Sequence, residues 1–190
     1  MDAALTLTGS GHNFASISLR EVAKNAGVVP TSFYRHFSDM EQLGLNIVDD
    51  LGMMLRRLMR STRQNEDYLQ GQTRNFIEGY ADFASEHKNY FFFMGQCRTG
   101  GTAVLRNAIR NEQKYFATEL ASDIRPLPWF AKIENSDLEM VSQLIVEAVF
   151  GTTIDLLDQI DSNPAYPEAF VDLTEKKLRL IWLGARAWRS

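Results

Sequence analysis

A single cysteine, Cys97, leaves this chain unable to close an intrachain disulfide and suits a reducing compartment, the cytoplasm. Histidine is scarce as well. His12, His36 and His87 show no Cys/His spacing that would hold a metal. No glycine-rich phosphate loop ending in lysine occurs. Ser10 between Gly9 and Gly11 has neither the preceding strand nor the full five-residue motif of a nucleophile elbow. Asp and Glu are plentiful but fall on polar helix faces. Catalysis therefore finds no support, and neither a metal nor a cofactor is expected. The short apolar run Ala3–Leu7 has no basic residue before it, so it does not read as a signal peptide, and no segment reads as long enough to span a membrane. No repeat, low-complexity tract or alternating strand pattern appears. The expected fold class is all-α, and a hydrophobic fraction of 45% is that of a globular chain.

What the sequence does contain is concentrated between Ser16 and Phe37. Ser18 is placed to cap a short helix, with Glu21 completing a capping box. Leu19, Val22, Ala23 and Ala26 follow at helical spacing. Gly27 stands where a left-handed residue ends a helix, and Pro30 suits the first turn of the next. Phe33 and Phe37, four apart, anchor that second helix. Thr31, Ser32, Tyr34, Arg35 and His36 remain as polar groups suited to phosphates or base edges. Two short helices joined by a glycine turn form the helix-turn-helix pattern of a DNA reader. An ordinary helical hairpin with a solvated face has the same local signature.

Caps and breakers divide the remainder. A short helix is predicted over residues 2–8. Ser38 with Glu41 opens a long helix to about Thr62, roughly 34 Å at 1.5 Å per residue. Further helices are predicted over 67–86, 90–96 and 103–122, with Arg98–Thr102 a turn and Pro126–Trp129 a loop. Ser136 with Glu139 opens a helix to about Asp161. Asn163-Pro164 breaks the chain, and Pro167 starts a last helix to about Trp188. The predicted domains are 1–45, a three-helix DNA-binding head, and 46–190, a helical ligand-binding and dimerisation domain. Net charge is −4, unevenly spread. Residues 1–63 hold seven basic and six acidic side chains, and residues 64–190 hold thirteen and eighteen.

Phe14 to Leu43 resembles the DNA-binding domain of the TetR family of repressors. The residues that carry the likeness are Ser18-Leu19-Arg20-Glu21-Val22-Ala23, Ala26-Gly27-Val28, Phe33-Tyr34-Arg35-His36-Phe37 and Leu43. Pro30–Phe37, Gly44-Leu45, Met53–Arg60 and Arg98–Thr102 are similar to one branch, the bacterial repressors of unsaturated fatty-acid synthesis. The resemblance implies a homodimeric repressor that binds a palindromic double-stranded DNA operator and responds to an acyl-CoA or acyl-ACP. Ser18, Thr31, Ser32 and Tyr34 then hold phosphates, with Pro30, Thr31 and His36 nearest the bases. It also implies an acyl tunnel among Phe76, Tyr80, Phe83, Phe93, Phe116 and Phe150, with Arg98 at a coenzyme A phosphate. Arg56 and Arg60 share a helix face that either assists or, with Arg63, complements a helix dipole. From spacing alone the aromatic residues read first as a plain core, and only the resemblance makes them a tunnel.

Phe170, Thr174, Leu178, Ile181, Ala185 and Trp188 recur at near-heptad spacing, with Ala148, Val149 and Thr152 on the preceding helix. They form either a four-helix dimer face or intrachain core. The chain departs from the family pattern in lacking a basic arm before the first helix and in having Met40 where lysine is usual. It also reads Gln96-Cys97-Arg98 where the branch has Arg-Glu-Arg. Two other readings stay open. One is a repressor of the same family sensing another hydrophobic molecule, such as a drug or a quinone. The other is a helical partner-binding protein that no longer reads DNA.

Overall fold

The computed structural model describes residues 1–63, 73–128, 130, 133–163 and 165–188. Among them the chain forms nine α-helices, one 3-10 turn and no strand. The helices are α1 (Asp2–Gly9), α2 (Leu19–Asn25), α3 (Pro30–Phe33), α4 (Met40–Arg63) and α5 (Thr73–Glu86). They continue with α6 (Lys88–Gly100), α7 (Ala103–Ile124), α8 (Asn135–Gln159) and α9 (Tyr166–Ala187), and the 3-10 turn is Phe14–Ser16. Residues 67–72 of the helix predicted from 67, the Arg63 side chain, Trp129 and Pro164 lie outside the described residues.

Contacts divide the chain into two units. The first joins Met1–Leu58 to Glu86–Arg110, and the second joins Met59–Ser85 to Asn111–Ser190. The predicted boundary after residue 45 falls within α4.

The first unit is built around α6. Phe93, fully buried, meets the Phe14 ring edge-on at 4.8 Å. The Phe14 amide donates to Gln96 Oε1 at 3.1 Å, so one helix holds the 3-10 turn by both its ring and its backbone. The Tyr90 hydroxyl donates to Asp50 of α4 at 2.5 Å, and the Thr102 hydroxyl donates to Glu41 at 2.6 Å. Burial, and then the Asp50 carboxylate, push the Tyr90 phenol upward and keep it protonated as that donor. Gly44 has no room for a side chain, since a Cβ there would lie 2.9 Å from Leu105. Cys97 is buried, and desolvation pushes its thiol up to about 12.

Several predicted boundaries move. Asp39, not Ser38, caps α4: its carboxylate accepts from the Gln42 amide at 2.7 Å, while Ser38 donates to Asp39 at 3.0 Å. The Gln42 bond, then Ser38, holds the Asp39 carboxyl below its ordinary 3.8. A carboxyl lowered on folding stabilises above its unfolded value and loses that contribution as pH falls through the folded one. Asp39→Asn is therefore expected to flatten the acid side of a melting-temperature scan below about pH 4, leaving neutral pH nearly unchanged. Ser136 lies inside α8, which begins at Asn135 after Glu134 with no side-chain cap bond. Arg98 is in the last turn of α6, and the chain turns only at Gly101.

The second unit packs α8 against α9. Leu138, Val141, Ile145, Val149 and Leu156 of α8 are buried, as are Phe170, Thr174, Leu178 and Ala185 of α9. Those four α9 positions, read from spacing as either dimer face or core, are intrachain core. Trp188 is exposed, with its indole donating to Asp137 at 2.8 Å. A second stripe on each helix stays exposed: Met140 and Leu144 on α8, and Leu173, Leu180 and Leu183 on α9. Two apolar sides make α8 long and apolar enough to cross a membrane by length and composition, with a mean hydropathy of 1.5. The expectation that no segment reaches that length is corrected here. The core-facing side of α8 supplies much of that hydropathy.

Candidate nucleic-acid interface

The head is assembled from local chemistry. Ser18 Oγ accepts from the Glu21 amide at 3.3 Å, and Glu21 Oε2 accepts from the Ser18 amide at 2.7 Å, closing the capping box. Side-chain and then backbone bonding to Ser18 lowers the Glu21 carboxyl, which keeps the box ionised at neutral pH. Removing the cap as Ser18→Ala is expected to cost about 1 kcal/mol, read as a small drop in thermal midpoint with helicity retained.

At the far end of α2, Gly27 adopts φ +67, a region that a side chain disfavours. Gly27 N–H bonds to Lys24 O at 3.1 Å and Val28 N–H to Ala23 O at 3.0 Å, the paired bonds of a Schellman turn. Val29 is extended, as a residue before proline must be, and Pro30 opens α3. Phe33 is 6% exposed and its ring stands 5.3 Å from that of Phe37, which fastens α3 to the head.

The regular α-helix ends at Phe33 rather than continuing to residue 36 as predicted. Residues 34–36 form turns, with the Arg35 amide bonded to Ser32 O at 3.3 Å and the His36 amide to Phe33 O at 2.9 Å. Such i to i+3 bonds wind the chain more tightly than an α-helix. The side chains nonetheless stay presented: Pro30, Thr31, Arg35 and His36 are exposed, Tyr34 is 62% exposed and Ser32 is half-buried. Ser18 is exposed with its acceptor lone pair in the cap, so its hydroxyl proton is available to a phosphate.

Sequence reasoning passed over Val28 and Val29, which are 45% and 62% exposed directly before α3. Two solvent-facing valines beside the polar set are suited to thymine methyl groups. The available signal was a β-branched pair placed between a helix-ending glycine and a helix-opening proline.

The seven residues expected around a ligand separate between the units. Phe93 is core of the first unit, and Arg98 is exposed on the last turn of α6 in that same unit. In the second unit, Phe116 stacks on Phe150 at 6.1 Å, and the Tyr80 ring lies 6.3 Å from Phe150. The fully buried Tyr80 hydroxyl shares a 2.7 Å hydrogen bond with Thr153, and burial drives its ionisation well above the usual tyrosine range. Phe76 and Phe83 are half-buried on α5. No group of three or more His, Cys, Asp or Glu that could hold a metal occurs among the described residues.

Residues 1–46 match the bacterial regulatory proteins of the tetR family, and residues 69–184 match a tetracyclin repressor-like C-terminal domain. The chain belongs to the TetR family of transcriptional regulators, which are DNA-binding regulators and not enzymes. Its fold is similar to that of the fatty acid degradation regulator FadR of Bacillus halodurans, at 14% identity and a TM-score of 0.71 over 99% of this chain and 97% of that one. It is also similar to FadR of Bacillus subtilis in complex with stearoyl-CoA, at 16% identity and TM-score 0.65 over 95% and 94%. A transcriptional regulator of Rhodococcus sp. Rha1 matches at 19% identity and TM-score 0.66 over 98% and 96%.

Proposed function

We propose that the protein is a homodimeric repressor that reads a near-palindromic operator and is switched by a fatty acyl thioester, acyl-CoA or acyl-ACP. In this reading it controls fatty-acid synthesis genes in the cytoplasm, unsaturated fatty acids in particular. Ser18, Ser32 and Tyr34 hold phosphates, while Pro30, Thr31 and His36 lie nearest the bases. The carrying observation is the Tyr80–Phe116–Phe150 cluster, with Tyr80 and Phe116 buried and Phe150 half-buried, in a fold shared with a regulator captured with stearoyl-CoA. Phe76 and Phe83, in the same unit, extend the apolar lining from α5. Bound ligand acts only through different affinity for the two arrangements of the heads, transmitted along α4.

Dimerisation uses the exposed stripe, not the buried one. Leu173, Leu180 and Leu183 on α9, with Met140 and Leu144 on α8, offer an apolar surface that a second copy covers as a four-helix interface. Leu180, 69% exposed, costs nothing to change in the isolated chain. Leu180→Glu is expected to give a folded monomer by analytical ultracentrifugation, with operator affinity lost alongside the dimer.

DNA binding is expected to be salt-dependent, because a basic side chain at the backbone, such as the exposed Arg35 beside α3, releases counterions where the neutral hydroxyls do not. Anisotropy titrations at two salt concentrations check this. A shift absent even at low salt favours the partner-binding alternative. Native mass spectrometry of protein purified from its host tests the ligand. A co-purified acyl thioester supports the reading, and an unrelated drug-like molecule or quinone replaces it with the other sensing class.

A further inference from the structure

We propose that the second unit carries a separate binding site for a flat aromatic carboxylate. The site is the cavity of about 410 Å³ where the start of α5, the α7–α8 connection and the C-terminal half of α9 meet. That volume is in the range of small-molecule pockets. None of the seven residues expected around an acyl chain lines it.

The wall is aromatic and held in place. The Trp182 ring lies 5.5 Å from Phe130 at 56°, and Leu127 and Leu183, the latter at the edge of the exposed α9 stripe, complete the apolar side. Phe130 is 1% exposed, and its amide bonds to Leu127 O at 2.9 Å. The Arg125 guanidinium ties the same connection by donating to Phe130 O at 3.0 Å, to Ile133 O at 2.7 Å and to the Asn135 side chain. These bonds hold the backbones of Ile133 and of Phe130, which lines the cavity, so little ordering of those two residues is needed on binding.

The polar side favours an anion. Arg179 and Arg186 line the cavity together with Trp182, from successive turns of α9. Glu175 also faces the cavity; its carboxylate accepts from Arg74 at 3.3 Å, a guanidinium that also holds Asp172 at 2.7 Å and Glu78 at 3.0 Å. No ion pair engages Arg179 among the described residues. A planar guanidinium matches a carboxylate with two parallel hydrogen bonds, and the half-buried Trp182 ring, backed by Phe130, offers an aromatic body a stacking partner. A fused-ring acid satisfies both features in one molecule. An extended acyl chain would satisfy only the charge.

The test is calorimetric titration of the full-length protein with 2-naphthoate, with 2-naphthylmethanol and palmitate as comparison arms. One saturable site per chain is expected for naphthoate, at least ten-fold tighter than for the uncharged alcohol. Arg179→Gln, at an exposed position, is expected to weaken naphthoate at least ten-fold and leave the alcohol unchanged. Trp182→Leu weakens both. Phe150→Leu, in the Tyr80–Phe116–Phe150 cluster, leaves naphthoate binding intact, which separates this site from the acyl-thioester reading. Far-UV circular dichroism verifies folding of each variant. The proposal is overturned if naphthoate does not saturate, if palmitate binds more tightly, or if Phe150→Leu abolishes binding while Arg179→Gln does not.

Discussion

Replacing Thr31 and His36 together by alanine is expected to lower affinity for a duplex selected by the unmodified protein by about 100-fold or more. Each lost base contact costs about 1–3 kcal/mol, and two well-separated losses add. Both side chains are exposed beside a fixed Phe33 anchor, so nothing in the core depends on them. The thermal midpoint is accordingly expected to stay within about 2 °C, since surface substitutions of this kind seldom exceed 0.5 kcal/mol. Fluorescence anisotropy at fixed salt reads the first quantity and a circular-dichroism melt reads the second. Unchanged affinity would mean that α3 is not the reading element.

Phe93→Ala is expected to have the opposite signature: a large loss of stability, of about 3–5 kcal/mol. Phe93 is completely buried, stands edge-on to Phe14 and sits one turn from Gln96, which holds the Phe14 backbone. Emptying this position removes the support of the 3-10 turn that leads into α2. The thermal midpoint is expected to fall by about 10 °C, and DNA binding to be lost at temperatures where the unmodified protein still binds. Phe93→Leu, which refills most of the volume, should recover most of both. If Phe93→Ala melted like the unmodified protein, the residue would be facing a chamber rather than supporting the head.

These two positions also show what was legible in the chain. Ser18 with Glu21, Gly27 and Pro30 act over three or four residues, so their chemistry is written out in order, and the structure has the box, the left-handed turn and the helix start at those places. Adjacent competitors are harder to rank. Ser38 and Asp39 are both good caps, and the ionised carboxylate takes the Gln42 amide. The two apolar stripes of α9 are the clearest limit. Phe170, Thr174 and Leu178 have the same periodicity as Leu173, Leu180 and Leu183, and only the position of α8 decides which stripe faces inward. Phe93 was hidden for a related reason. Its partner Phe14 is far away in the chain, and a run of aromatic residues on one helix gives no sign of which unit it will fill.

Hydroxyl-radical footprinting on a selected duplex tests the proposed DNA-reading dimer most directly. Two protected patches are predicted on one face of the duplex, about one helical turn apart, and both should disappear with the Thr31→Ala/His36→Ala variant under conditions where it remains dimeric. A single patch, or protection that survives both substitutions, would contradict it.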